Sequence, residues 1–265
     1  MKRKFHKQNK ALRPARLFLW LILLAIVFSC KKEKYALVAW TRLESGTRLD
    51  LKSLVRINQT DTLFVCGGKR EESGIILRSV DLGKSWQVLY ERQGISFNKL
   101  FFLNAQQGFA LGDFLDIYKT SDGGMTWNKT AFSDTVTYNY KVVLRDMVQL
   151  NAQLFFVSGG DDFGNGVILK SEDAGEHWTA VITEDHELRS LRFLDSLHGF
   201  VCGYGLLMKS NDGGQSWNST SLSDEFFTGL TFTSSTQGYL CGYNGNLYKT
   251  SDAGENWKKL LKGNT

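Results

Sequence analysis

Between residues 51 and 262 the chain alternates short apolar stretches of four to six residues with turns rich in Gly, Ser and Asp. One stretch of this kind is Leu191-Arg192-Phe193-Leu194-Asp195, followed by Gly199-Phe200-Val201-Cys202-Gly203 and then Leu206-Leu207-Met208-Lys209-Ser210. Runs this short, bounded by turn residues, predict β-strands. A fourth strand follows a tryptophan just downstream, so each unit supplies four antiparallel strands, A to D. The units cover about 51–90, 97–131, 143–182, 189–221 and 228–262.

The units are marked by one motif, Ser/Thr-x-Asp-x-Gly-x-x-Trp, the Asp-box. Its five copies place aspartate and tryptophan at Asp81 and Trp86, Asp122 and Trp127, Asp173 and Trp178, Asp212 and Trp217, and Asp252 and Trp257. Successive aspartates lie 41, 51, 39 and 40 residues apart, the length of a four-stranded propeller blade. A short acidic side chain accepts hydrogen bonds from amides just after it, and glycine adopts positive φ, so the motif reads as the C to D hairpin turn. The five aspartates and tryptophans are therefore structural residues. The fold class expected is all-β, a β-propeller of about five four-stranded blades. One extra N-terminal strand at 35–43 places Trp40 before Leu54 as Trp86 stands before Leu100, like a D strand without its own blade.

Five boxes, with the recurring Gly-Phe/Tyr-x-x-Gly ahead of Lys-Ser/Thr-x-Asp-x-Gly-x-x-Trp, make residues 35–265 resemble the photosystem II stability and assembly factor family. The resemblance implies a propeller, commonly seven-bladed, that binds a partner protein while a complex is built. Sialidases share only the Asp-box. A sialidase or other glycoside hydrolase or carbohydrate-binding protein is the alternative. It would need an Arg-Ile-Pro segment where this chain has Arg56-Ile57-Asn58, and the single proline, Pro14, lies far upstream.

The formal charge of +5 comes from the first thirty residues, which hold seven bases and no acid and leave 25 basic against 27 acidic residues downstream. Nucleic acid is thus not an expected partner. The basic start is followed by an apolar run from Leu17 to Phe28, of signal-peptide length and short of the roughly 20 residues a membrane span requires. The run ends in Val27-Phe28-Ser29-Cys30, which resembles a lipobox. The organisation expected is a lipoprotein signal peptide over 1–30 ending at Cys30, the lipidation site, then a tether over 31–34 and the propeller over 35–265. Such a chain is exported and lipid-anchored in a bacterial cell envelope. Cys66, Cys202 and Cys241 occupy one repeat position, too far apart for pairing, and read as small buried hydrophobes.

No catalytic constellation appears: the four histidines lack zinc-ligand spacing, and no nucleophile elbow, phosphate loop or dinucleotide fingerprint occurs. Asp161-Asp162-Phe163-Gly164-Asn165-Gly166 lacks the terminal glutamate of a calcium loop. No enzyme, metal or cofactor is expected, and the partner is a protein or peptide. Binding belongs on the face of the D to A and B to C loops, opposite the boxes. Alignment of the A strands on Leu54, Leu100, Met147, Leu191 and Leu230 sets Lys52, Asn98, Arg145, Arg189 and Thr228 at one position. Lys52, Arg145, Arg189 and nearby Arg192 are candidates for a cationic arc suited to a carboxylate or acidic segment, or else pair with neighbouring acids. Tyr138, Tyr140, Phe226 and Phe227 are candidate apolar anchors on the same face.

Overall fold

A computed structural model describes residues 41–133, 142–161, 163–220, 222 and 225–261. Contacts divide the chain into Met1–Arg42 and Leu43–Thr265. The first unit is described only at Thr41 and Arg42, so the leader, Cys30, the tether and positions 35–40 of the strand expected over 35–43 lie outside the described residues, and Thr41, Arg42 and Leu43 are not in a strand. No helix among the described residues is long and apolar enough to cross a membrane.

The second unit contains five sheets in chain order. Blade I comprises β1 (Leu51–Arg56), β2 (Leu63–Lys69), β3 (Ser73–Ser79) and β4 (Gln87–Gln93). Blade II follows with β5 (Phe97–Phe102), β6 (Gly108–Gly112), β7 (Ile117–Thr120) and β8 (Asn128–Lys129), then a separate strand β9 (Ala131–Phe132). Blade III has β10 (Val143–Gln149), β11 (Phe155–Asp161), β12 (Gly164–Ser171) and β13 (His177–Glu184). Blade IV has β14 (Leu188–Phe193), β15 (Gly199–Gly203), β16 (Leu206–Ser210) and β17 (Asn218–Ser219). Blade V ends the series with β18 (Phe227–Phe232), β19 (Gly238–Gly242), β20 (Leu247–Thr250) and β21 (Lys258–Leu261). Each blade is a meander of antiparallel neighbours, the architecture of a five-bladed β-propeller.

Two details depart from the sequence expectation. In blades II and IV the outermost strand is only two residues long. After β8 the chain crosses to blade III, where β9 pairs parallel with β13, His177 opposite Ala131 and Trp178 opposite Phe132. The Thr130 hydroxyl and amide both donate to the Ile117 carbonyl, which ends the short strand and directs the chain outward.

The A strands β1, β5, β10, β14 and β18 pack in sequence and set the blades side by side. Their alternation sends one row of side chains toward the preceding blade. Phe97, Leu144, Leu188 and Phe227 in that row are fully buried, as are Leu100, Met147, Leu191 and Leu230 three residues on. The B strand of each of blades I to IV turns a phenylalanine to the next blade, where a glycine of the following box receives it. A Cβ built on Gly175, Gly214 or Gly254 would stand 2.5 Å from the ring of Phe109, Phe156 or Phe200. Only a residue without a side chain fits there.

The first and last blades lack this cover. Leu51 and Leu54, in the row that is buried elsewhere, are 41% and 63% exposed. With Leu43, Val65 and Trp86 they line a groove of about 280 Å³. On blade V, Cys241 is exposed although Cys66 and Cys202 at the equivalent position are buried, which corrects the common reading of the three thiols. β1 and β18 do not pack as consecutive A strands do. Blade V also carries Tyr239 where the earlier blades have Phe64, Phe109, Phe156 and Phe200, a more polar residue at that position.

Candidate functional site

Box geometry accounts for the five aspartates. In each, the Ser or Thr hydroxyl donates to the aspartate, at 2.7 to 2.9 Å, and accepts from the box glycine amide at 2.8 to 2.9 Å. The aspartate then takes the backbone amide four residues downstream, from Ser85, Thr126, His177, Ser216 or Asn256. Asp81, Asp122 and Asp212 are held down at about 2, first by the hydroxyls of Ser85, Thr126 and Ser216 that donate to the carboxylate. These carboxylates have their hydrogen-bonding capacity committed within their own turns. Each box also bonds to the A to B turn of its own blade, as where Gly213 donates to the Leu197 carbonyl at 2.9 Å.

The opposite face carries the D to A and B to C loops. There the four candidate cations are all engaged, mostly across blade boundaries. Lys52 of blade I donates to Ser96 and Asn98 of blade II, and Asn98 in turn donates to Asp113 at 2.9 Å. Glu187, fully buried, receives Arg145 from blade III on Oε1 at 2.7 and 2.8 Å. It receives Arg189 on Oε2 at 2.8 and 3.1 Å. Arg192 reaches back to Asp146 of blade III, which also holds Lys99 at 3.1 Å. The structure thus distributes the four cations over three networks that tie blade to blade. A buried carboxylate left without its arginines would be strongly destabilising, so these contacts fix the inner rim.

Of the apolar candidates, Tyr138 and Tyr140 lie outside the described residues. Phe227 is not a loop residue: it starts β18 three residues before Leu230, points the same way, and is buried against Tyr248 with ring centroids 5.9 Å apart. Phe226, one residue earlier, emerges on the loop face and lies on Tyr204, centroids 3.6 Å apart.

Phe226 belongs to an aromatic series that the sequence reading did not single out. Phe163, 61% exposed in the B to C turn of blade III, meets Tyr204 edge-on at 4.8 Å. Tyr204 occupies the same turn of blade IV, and Tyr243, 48% exposed, that of blade V, where the Arg189 guanidinium lies 5.8 Å from its ring. Phe163 has φ of +139°, far from the left-handed region occupied by most of the other positive-φ residues and costly for any side chain. Phe114 stands in the corresponding turn of blade II, at φ of +62° with Arg70 5.7 Å away. An aromatic in the B to C turn of four consecutive units was the available signal.

Carboxylates with a resolved shift, Asp195 and Glu225 among them, are displaced downward, the opposite of what a general acid for glycoside hydrolysis requires. Among the described residues no group of His, Cys, Asp and Glu is arranged to hold a metal.

Comparison with known proteins places this geometry. Residues 181–264 match the family profile described as photosynthesis system II assembly factor YCF48. No curated protein matches the chain. Among solved structures, an ancestral GH74 enzyme aligns with 86% of this chain at 16% identity and a TM-score of 0.66. The GH74 enzyme of Niastella koreensis aligns with 80% at 15% identity and 0.61. This chain spans only 34% and 38% of those two enzymes, and the likeness is one of fold. A structure titled YCF48 bound to D1 peptide aligns with 84% of this chain and 87% of its own, at 15% identity and 0.43. The chain is an Asp-box repeat β-propeller whose residues 181–264 are similar to the repeat of the YCF48 assembly-factor family.

Proposed function

We propose that the chain is a protein-binding or assembly scaffold that engages its partner through the loop face opposite the Asp-boxes, and that it is held to a bacterial envelope membrane by lipid on Cys30. The observation that carries this reading is the aromatic series of the loop face, in which Phe163 and Tyr243 are exposed and Tyr204 and Phe226 are half-buried against each other. Large aromatic side chains with few rotamers are the residues that dominate protein interfaces, and a propeller fixes their spacing. The match of residues 181–264 to an assembly-factor family supports the same reading. The paired cations, Lys52, Arg145, Arg189 and Arg192, serve here as the frame of the inner rim, open to contact a partner at their edges.

The test is site-specific photo-crosslinking in the native envelope. A crosslinker at Phe163 is expected to capture a defined protein, and one at Met125, in a box on the other face, is not. Equal capture at both sites, or none at Phe163, overturns the reading. Lipid attachment is checked by incorporation of labelled palmitate, expected in the wild type and absent in Cys30→Ala.

A second reading, a carbohydrate-active protein, is favoured by the same rings, because exposed aromatics also stack on sugars. Turnover or binding of a soluble β-glucan by the purified full chain decides for it.

A further inference from the structure

We infer that the aromatic series is a docking surface for a cationic segment of the partner, a Lys or Arg with apolar neighbours, a reading that rests on the protein-binding function proposed above. Phe163 shares its turn with Asp161, whose carboxylate takes the Gly164 amide at 3.1 Å and the Asn165 side chain at 2.6 Å. The end of β13 brings Glu184, and the D to A loop after it Asp185 and His186. The Asp185 carbonyl lies 3.8 Å from where a Gly164 side chain would begin, and the His186 ring 3.6 Å from that point on Gly205, beside Tyr204.

The charge balance is one-sided. Asp161, Glu184 and Asp185 have no cationic partner among the described residues, whereas Arg189 is bonded to Glu187 and Lys259 to Glu225. The face that the sequence offers as a cationic arc therefore presents, in blades III and IV, neutral rings in the same turn as the Asp161 carboxylate, with Glu184 and Asp185 in the adjacent chain segment. A ring face attracts a cation through its quadrupole, and a nearby carboxylate adds a charge-assisted hydrogen bond. An acidic segment would meet repulsion at Asp161 and Asp185 instead. Phe163, strained and 61% exposed, keeps most of its ring available although its edge meets Tyr204 of blade IV.

The experiment is a fluorescence-anisotropy titration of the full chain with two labelled peptides, one alternating Lys with Leu and Phe, the other with Glu in place of every Lys. The cationic peptide is expected to bind about tenfold more tightly, a ratio that narrows as salt is raised. Phe163→Ala and Tyr243→Ala, both at exposed positions, are each expected to weaken it severalfold with an unchanged denaturation midpoint, and Asp185→Asn to narrow the preference between peptides. Equal affinity for the two peptides, or binding indifferent to these substitutions, overturns the proposal. Preference for the acidic peptide, lost on Phe163→Ala, overturns the cationic partner and leaves the protein-binding reading standing. If neither peptide binds and a β-glucan oligosaccharide does, both fall.

Discussion

Gly213 and Gly214 are adjacent, both in the left-handed region at φ of +71° and +82°, and yet are expected to respond very differently to alanine. At Gly213 the equivalent residues of other boxes are Ala174 and Ala253, at +60° and +58°, so a methyl is already accommodated twice in the same turn. Its Cβ would stand 3.0 Å from the Ser196 carbonyl oxygen, which needs a small shift. The strain of about 1 kcal/mol is partly offset by the lower entropy of the unfolded chain, leaving a net loss of about 1 kcal/mol or less. At Gly214 the Cβ would stand 2.5 and 2.7 Å from atoms of the Phe156 ring, itself buried in stacked contact with Phe193. Overpacking of about 1–3 kcal/mol adds to left-handed strain of about 1–2 kcal/mol, so Gly214→Ala is expected to cost about 2–5 kcal/mol. Urea unfolding of both variants, followed by tryptophan fluorescence with the slope held constant, measures the difference. Equal losses, or a larger loss at Gly213, would refute the claim that the second glycine is required by the neighbouring blade rather than by the turn.

Four further outcomes are expected. Leu54→Ala should cost under about 1 kcal/mol, against about 2–5 kcal/mol for Leu191→Ala at the same repeat position, because only Leu191 leaves a cavity; similar losses would mean that the first blade is covered. Phe163→Gly should raise unfolding free energy by about 1–3 kcal/mol, since it removes backbone strain and an exposed ring, and calorimetry would show it. The box aspartates have folded values near 2 against about 4 unfolded, so their stabilisation is present above about pH 4 and is lost as pH falls through about 2. A denaturation midpoint that is flat between pH 4 and 2 would contradict this. In the folded protein a thiol reagent should label Cys241 alone among the three propeller cysteines, because burial hides Cys202 and pushes the Cys66 thiol up to about 12.

The blades were legible in the sequence because the box is local: the bonds of its aspartate and its Ser or Thr hydroxyl close within five residues, and the tryptophan that follows marks the next strand. Strands A to C were legible for the same reason, each bounded by its own glycine turn. The parallel addition of β9 to blade III was not, since a two-residue pairing leaves no periodicity. Exposure of Leu51 and Leu54 was equally hidden, because their sequence context matches that of buried Leu188 and Leu191 and only the lack of a packed blade among the described residues distinguishes them. At the loop face the sequence brought Arg145 and Arg189 to one repeat position. It did not show that both turn to Glu187, two residues from one and 42 from the other. Phe226 and Phe227 differ by a single residue of register, which decides between surface and core.

The seating of each box glycine on a phenylalanine of the blade before it gives the molecule a direction of growth. Synthesis delivers blade I first, and every later blade emerges to find its template already made: Phe64 waits for Gly124, Phe109 for Gly175, Phe156 for Gly214 and Phe200 for Gly254. A nascent chain can thus add blades one at a time on the ribosome, without waiting for its C-terminus. At the box of blade I it is Leu43 that stands against the glycine, 2.9 Å from the Cβ position of Gly83.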